Sequence, residues 1–288
     1  MIFLFSLPGI VDARTDFDRM EQLAAAEYGQ TAVASIKAWR AMIDKNRTQP
    51  ELTKLERANI FVNDRILYAS DLSVWGVEDY WATPLELFGK GRGDCEDYAI
   101  AKYITLRMMD VPVQKLRLVY VRARMGPQTI AHMVLSYFET PTADPLILDN
   151  LVDAILPARR RPDLFPVFSF NHEGLWMEGE RTSSGNPTAR LSRWRDVLQR
   201  MRREGIDPSW TDISARSMLS WKQPTSRLSS RKVTQSQSAT QSLSSSKTMA
   251  EYRVRQKTGK TISSQTVSTK SKTKTAKYQP QLRKIAQR

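Results

Sequence analysis

The chain of 288 residues holds one cysteine, Cys95, and two histidines, His132 and His172. A single cysteine excludes an internal disulfide and any multi-cysteine zinc site. No apolar run reaches the roughly 20 residues that a membrane-spanning helix needs. The nearest candidate, Met1 to Ala13, is too short and lacks a positively charged start. It reads either as a truncated secretion leader over residues 1–14 or as a buried N-terminal strand. Acidic residues are scarce at the other end. Residues 222–288 hold 16 Lys and Arg against one acid, Glu251, so the net charge of +14 belongs to that stretch and residues 1–221 are close to neutral. The high charge therefore says nothing about the folded part, and a nucleic-acid enzyme does not follow from it. From about Ser220 the composition falls to Ser, Thr, Gln and Lys, with too few apolar residues for a core. A basic, low-complexity, disordered tail is expected over residues 220–288. It reads as a solvated extension or as a contact for anionic polymer or a membrane surface. It carries no recognised DNA-binding pattern.

What is present centres on Gly91-Arg92-Gly93-Asp94-Cys95-Glu96-Asp97-Tyr98. Cys95, Ala99, Tyr103 and Leu106 recur at helical spacing, so a helix is expected from Asp94 to about Met109, where Asp110-Val111-Pro112 breaks it. Asp94 is a suitable N-cap, and Asp97 can complete a capping-box-like start. Cys95 then lies in the first turn, where free N–H groups and the helix dipole favour a thiolate. Three carboxylates beside the sulfur act in the opposite sense, and they outweigh a dipole worth about half a charge. Asp94, Glu96 and Asp97 therefore read either as ligands of a hard cation such as calcium or as solvated acids at a capped helix start.

Around this stretch the periodicity gives helices over 16–46, interrupted at Gly29, and over 51–69, with a last amphipathic helix over 189–204. Residues 70–90 are rich in aromatics, including Trp75, Tyr80 and Trp81. They read as ordinary core or as a cleft wall whose indole could face a developing oxyanion. Period-two stretches follow at 115–123, 130–138 and 146–150, joined by turns, with shorter ones at 166–170 and 175–176. The expected fold class is α+β: N-terminal helices and a cysteine-bearing helix packed against an antiparallel sheet, within one domain over 15–210. Pairing of 130–138 with 146–150 would bring His132 and Asp149 onto adjacent strands. A cysteine, a base and a carboxylate that orients the base are the parts of a thiol hydrolase. His132 is the better base, because His172 lies in a turn.

Asp79-Tyr80-Trp81-Ala82-Thr83-Pro84, the Gly91–Tyr103 stretch, Ala131-His132-Met133-Val134-Leu135 and Leu148-Asp149-Asn150-Leu151 stand in a distinctive order. With Arg161-Pro162-Asp163-Leu164 and Phe168-Ser169-Phe170-Asn171, they resemble the bacterial transglutaminase-like cysteine proteinases of the LapG type, in the papain/transglutaminase-like superfamily. The resemblance spans about residues 20–205. It implies a periplasmic, calcium-dependent endopeptidase that cuts a large surface adhesin and so releases biofilm cells. It also implies sequestration by a LapD-like inner-membrane receptor for cyclic-di-GMP. On this pattern Cys95 is the nucleophile, His132 the base and Asp149 the orienting carboxylate. Asp94 and Glu96 fall at the calcium positions, with Asp97 beside them. The short leader and the basic tail depart from the pattern. Acyl transfer to an amine by the same triad and a non-catalytic binding module are the alternatives.

Overall fold

The computed structural model describes residues 15–180 and 183–207. The expected leader and basic tail lie outside the described residues. Two helices open the chain, α1 (Phe17–Glu27) and α2 (Gln30–Asn46). Asp16 caps α1 by accepting the Arg19 N–H at 2.9 Å. Gly29, at φ 82°, turns the chain between the two helices where a side chain would be strained. Ala32, Ile36, Trp39 and Ile43 form the buried stripe of α2. Helix α3 (Glu51–Arg65) follows Pro50 and buries Leu55, Ala58 and Val62.

The aromatic-rich stretch contains more regular structure than its composition indicates. It forms α4 (Asp71–Trp75) and α5 (Pro84–Lys90); flanking it, β1 (Leu67–Tyr68), where the helix over 51–69 was expected to continue, pairs in parallel with β2 (Arg92–Gly93). The α5 start is locally encoded: Thr83 and Glu86 form a capping box and Pro84 occupies the first turn.

Helix α6 (Cys95–Met108) is the centre of the molecule, and every residue from Asp97 to Met108 is buried. The expected stripe is thus only part of its buried surface, because helices cover one side and a sheet the other. Trp39 Nε1 donates to Thr105 Oγ1 at 2.9 Å, tying α2 to α6. The end of α6 is satisfied by cations: Lys54 Nζ donates to the Met109 carbonyl at 2.7 Å and Arg47 Nε to that of Met108 at 3.0 Å.

The sheet comprises β3 (Leu116–Met125), β4 (Gln128–Tyr137), β5 (Leu146–Leu148), β6 (Leu156–Pro157), β7 (Leu164–Phe170) and β8 (Leu175–Met177). It is antiparallel, in the order β6-β5-β4-β3-β7-β8. Alternation divides its side chains. Leu116, Leu118, Met133, Leu135 and Leu148 join the main core with α6. Val119, Val121, Ala123, Val134 and Ile147 form a smaller cluster. After α7 (Pro187–Arg190), α8 (Ser192–Arg203) buries Trp194 against Tyr103 and Phe170, with ring centroids 5.9 and 5.4 Å apart. The architecture is α+β, as expected. Among the described residues no helix is long and apolar enough to cross a membrane.

Candidate active site

Cys95 is the first residue of α6 and remains partly exposed. Its backbone N–H is one of the first-turn donors that have no partner within a helix. The Asp97 carboxylate accepts the Asp94 N–H at 3.2 Å and the Ala82 N–H at 2.7 Å, which fixes the helix start to the segment before α5. Gly93 makes this approach possible. A Cβ there would lie 2.4 Å from Asp97 Oδ2 and 2.6 Å from Leu87 Cδ1.

The sulfur has two neighbours of opposite effect. Glu96 Oε2 accepts from Cys95 Sγ at 3.0 Å, and the Met133 N–H donates to the sulfur. Burial pushes the thiol pKa well up; the Glu96 and Asp94 carboxylates raise it further, and Met133 lowers it by less. Burial and the acids act together, and without a compensating cation the thiol holds its proton.

Met133 is adjacent to His132, so the thiol lies against the segment of β4 that carries the imidazole. His132 is 2% exposed and its Nε2 is 2.8 Å from Asp149 Oδ1. The β4–β5 register explains this meeting: Leu135 pairs with Leu148, and Asp149 follows directly. Asp149 is held on every side. Oδ1 also accepts the Leu151 N–H at 3.0 Å, Oδ2 accepts Arg161 Nη2 at 2.8 Å, and its carbonyl accepts Asn63 Nδ2 at 3.0 Å. Burial alone would raise its pKa, but the His132 hydrogen bond and charge, then Leu151 and Arg161, hold it well below the usual carboxylate range. With Nε2 donating to Asp149, Nδ1 is the acceptor nitrogen of the neutral ring. Among the described residues no hydrogen bond joins Cys95 Sγ to His132. In free enzymes such contacts are often long and tighten around substrate.

The acids near the sulfur form a larger cluster than the sequence indicated. One carboxylate oxygen from each of Asp71, Asp94 and Asp97 lies within 4.8 Å of the others, as does one from each of Asp71, Asp79 and Glu96. Asp71 Oδ1 and Asp94 Oδ1 are buried without hydrogen-bond partners. Burial, then Glu96 and Asp97, pushes the Asp94 carboxyl up to about 11; burial, then Glu96 and Asp79, brings Asp71 to about 7. Orphaned, mutually repelling carboxylate oxygens are the donor set of a hard divalent cation, and these residues fit calcium. Asp97 is the least available of them, since both its oxygens already accept backbone N–H groups.

Asp71, Asp79 and Arg161 are the parts that periodicity did not reveal. Asp71 begins a five-residue helix, and nothing in its neighbourhood in the chain marks it. Asp79 opens the Asp79–Pro84 motif, at φ 63°, with Oδ2 2.5 Å from Arg193 Nε on α8. Of the indoles expected nearby, Trp81 Nε1 donates to Asp79 at 3.1 Å, and Trp75 Nε1 is buried without a hydrogen-bond partner. His172 lies away from this constellation, its Nδ1 2.9 Å from the Tyr103 hydroxyl.

Comparison with known proteins matches this geometry to a family. The model of the bacterial transglutaminase-like cysteine proteinases matches residues 24–181. Comparison with curated proteins gives no match. Among solved structures, LapG of Legionella pneumophila is 39% identical, with 65% of this chain and 97% of that chain covered, at a TM-score of 0.56. Its calcium-bound form is 40% identical, with 65% and 99% covered and a TM-score of 0.57. The EGTA-treated form is 39% identical, with 65% and 97% covered and a TM-score of 0.58. With more than half of the chain matched by the family model, and nearly all of LapG aligned, this chain belongs to the bacterial transglutaminase-like cysteine proteinases and is a cysteine peptidase.

Proposed function

We propose that this peptidase is a calcium-dependent periplasmic endopeptidase that cuts a large surface adhesin through a triad of Cys95, His132 and Asp149. The observation that carries the triad is the buried His132–Asp149 hydrogen bond, one residue from the Met133 N–H that holds the Cys95 sulfur. The thiol proton passes to His132 Nδ1 as sulfur attacks the scissile carbonyl carbon. The Cys95 N–H stabilises the oxyanion of the tetrahedral intermediate. The imidazolium then protonates the leaving amine, giving a thioester. Water, deprotonated by the same imidazole, hydrolyses the thioester and regenerates the thiol. Asp149 keeps Nε2 protonated and so presents Nδ1 as the base; Arg161 and the Leu151 N–H hold the carboxylate in place.

Asp94 and Glu96, with Asp71 and Asp79, would hold the calcium ion, and Asp97 supports them by fixing the helix start. When bound, the ion supplies positive charge against the acids that raise the thiol pKa. The calcium-bound form of LapG supports this reading. Export to the periplasm, the adhesin and a LapD-like receptor rest on family membership alone.

Incubation of the full chain with a fragment of a large adhesin, with calcium and with chelator, tests the proposal. Cleavage that requires calcium and Cys95 and yields two free termini is the expected result. Isopeptide products would instead place the chain among acyl-transfer enzymes, and full cleavage in excess chelator would remove the calcium requirement.

A further inference from the structure

The chemistry above does not use the cavity lined by the smaller apolar cluster of the sheet. This cavity, of about 220 Å3, has walls that include Val119, Val121, Val134, Ile147 and Leu164. An apolar space of about 150 Å3 suffices for benzene, so this one has room for about nine non-hydrogen atoms.

Two guanidinium groups line the same space. Arg117 is half-buried, its Cζ 3.9 Å from the Trp176 ring centroid and 5.0 Å from that of Phe138. Its Nε is buried without a hydrogen-bond partner, and among the described residues no carboxylate forms an ion pair with it. Arg161 is 4% exposed. Its Nε and Nη2 bind Asp163 and Asp149, which compensate its charge, but its Nη1 is buried without a partner. Glu178 and Glu180 also line the cavity; Glu180 Oε2 accepts the Met177 N–H at 3.0 Å, and neither pairs with Arg117.

A cation drawn out of water needs an opposite charge, and stacking on aromatic rings recovers only part of that loss. Arg117 has the rings and lacks the counter-ion. The walls beside it are mostly apolar, with Ser136, Ser169, Glu178 and Glu180 as the polar exceptions, and would accept hydrocarbon. One chemical class satisfies both halves of the site.

We infer that this cavity binds an aliphatic monocarboxylate of about six or seven carbons, its carboxylate on Arg117 and Arg161 Nη1 and its chain among the valines. Arg161 is common to this cavity and to Asp149, so an occupant would sit one side chain away from that carboxylate.

Calorimetric titration of the full-length protein with hexanoate tests the inference, with hexanol and hexylammonium as ligands of the same chain length. Saturable one-to-one binding of hexanoate is expected, at least about tenfold tighter than either control. Arg117→Gln should weaken it by about tenfold or more, and Val119→Phe, which fills the space, should abolish it. Should Val119→Phe not fold, Arg117→Gln and the ligand series decide. No binding at millimolar hexanoate overturns the site. Equal binding of hexanol, or an unchanged affinity in Arg117→Gln, overturns the anion contact.

Discussion

Asp149→Asn separates the charge of this carboxylate from its shape. In the wild type, Oδ1 accepts from His132 Nε2 and the Leu151 N–H, and Oδ2 accepts from Arg161 Nη2. An amide can satisfy only one side. With its oxygen toward His132, its NH2 opposes the Arg161 Nη2 donor. Flipped, it keeps Arg161 but donates to Nε2, moving the imidazole proton to Nδ1, the atom that has to accept the thiol proton. Either orientation weakens the base, and kcat/KM should fall by about 10²–10⁴-fold. The fold should survive, since Asp163 still compensates Arg161. The lost contact at this buried position costs roughly 1–3 kcal/mol, a drop in Tm of several degrees. The pH dependence carries a second mark. The folded carboxyl titrates below its unfolded range near about 3.9, so the unfolded chain binds more protons in acid and wild-type stability is lost as pH falls below about 4. The variant should lack that contribution. Cleavage of an adhesin fragment, inactivation by iodoacetamide at neutral pH and thermal melts across pH are the assays. Cleavage within about threefold of wild type, in a well-folded variant, would refute the role of Asp149.

Asp94→Asn or Glu96→Gln should abolish the rise in Tm that calcium produces over chelator, which for the wild type at about 100-fold excess over Kd corresponds to about 2.7 kcal/mol; a full calcium shift in both variants would place the ion elsewhere. Gly93→Ala should lower Tm and weaken the calcium response together, because the new Cβ displaces the Asp97 carboxylate that holds the start of α6; melts with and without calcium read both effects. Lys102 on α6 is 1% exposed and its Nζ has no hydrogen-bond partner among the described residues. Burial lowers its pKa to about 7, against the opposing charges of Asp149 and Asp153. Between about 7 and the unfolded value near 10.4 the unfolded chain binds more protons, so wild-type stability should rise with pH across that window. Lys102→Met should remove the rise, and denaturant midpoints at two pH values measure it.

The local rules were sufficient wherever one face or one cap decides the structure. Gly29 divides α1 from α2, Asp97 accepts the Asp94 N–H at the start of α6, and the turn at Gly126-Pro127 joins β3 to β4. They were insufficient for α4 and α5, where an aromatic-rich composition concealed two short helices. They also understated α6, which is covered on all sides although only one stripe was evident. The meeting of His132 with Asp149 was legible from residue type, order and the expected strand pairing. Asp94, Glu96 and Asp97 were legible because they are neighbours in the chain.

The rest depends on separations that no local pattern spans. Asp71 reaches Asp94 only because β1 pairs with β2, and Arg161 reaches Asp149 from the segment between β6 and β7. Arg193 meets Asp79 because Trp194 anchors α8 in the core. By itself the sequence determined the long helices, the main strands and the chemical character of the site, since these follow from spacing along the chain. Only the tertiary structure decided which distant charges share a buried, low-dielectric space, because that depends on how the layers pack.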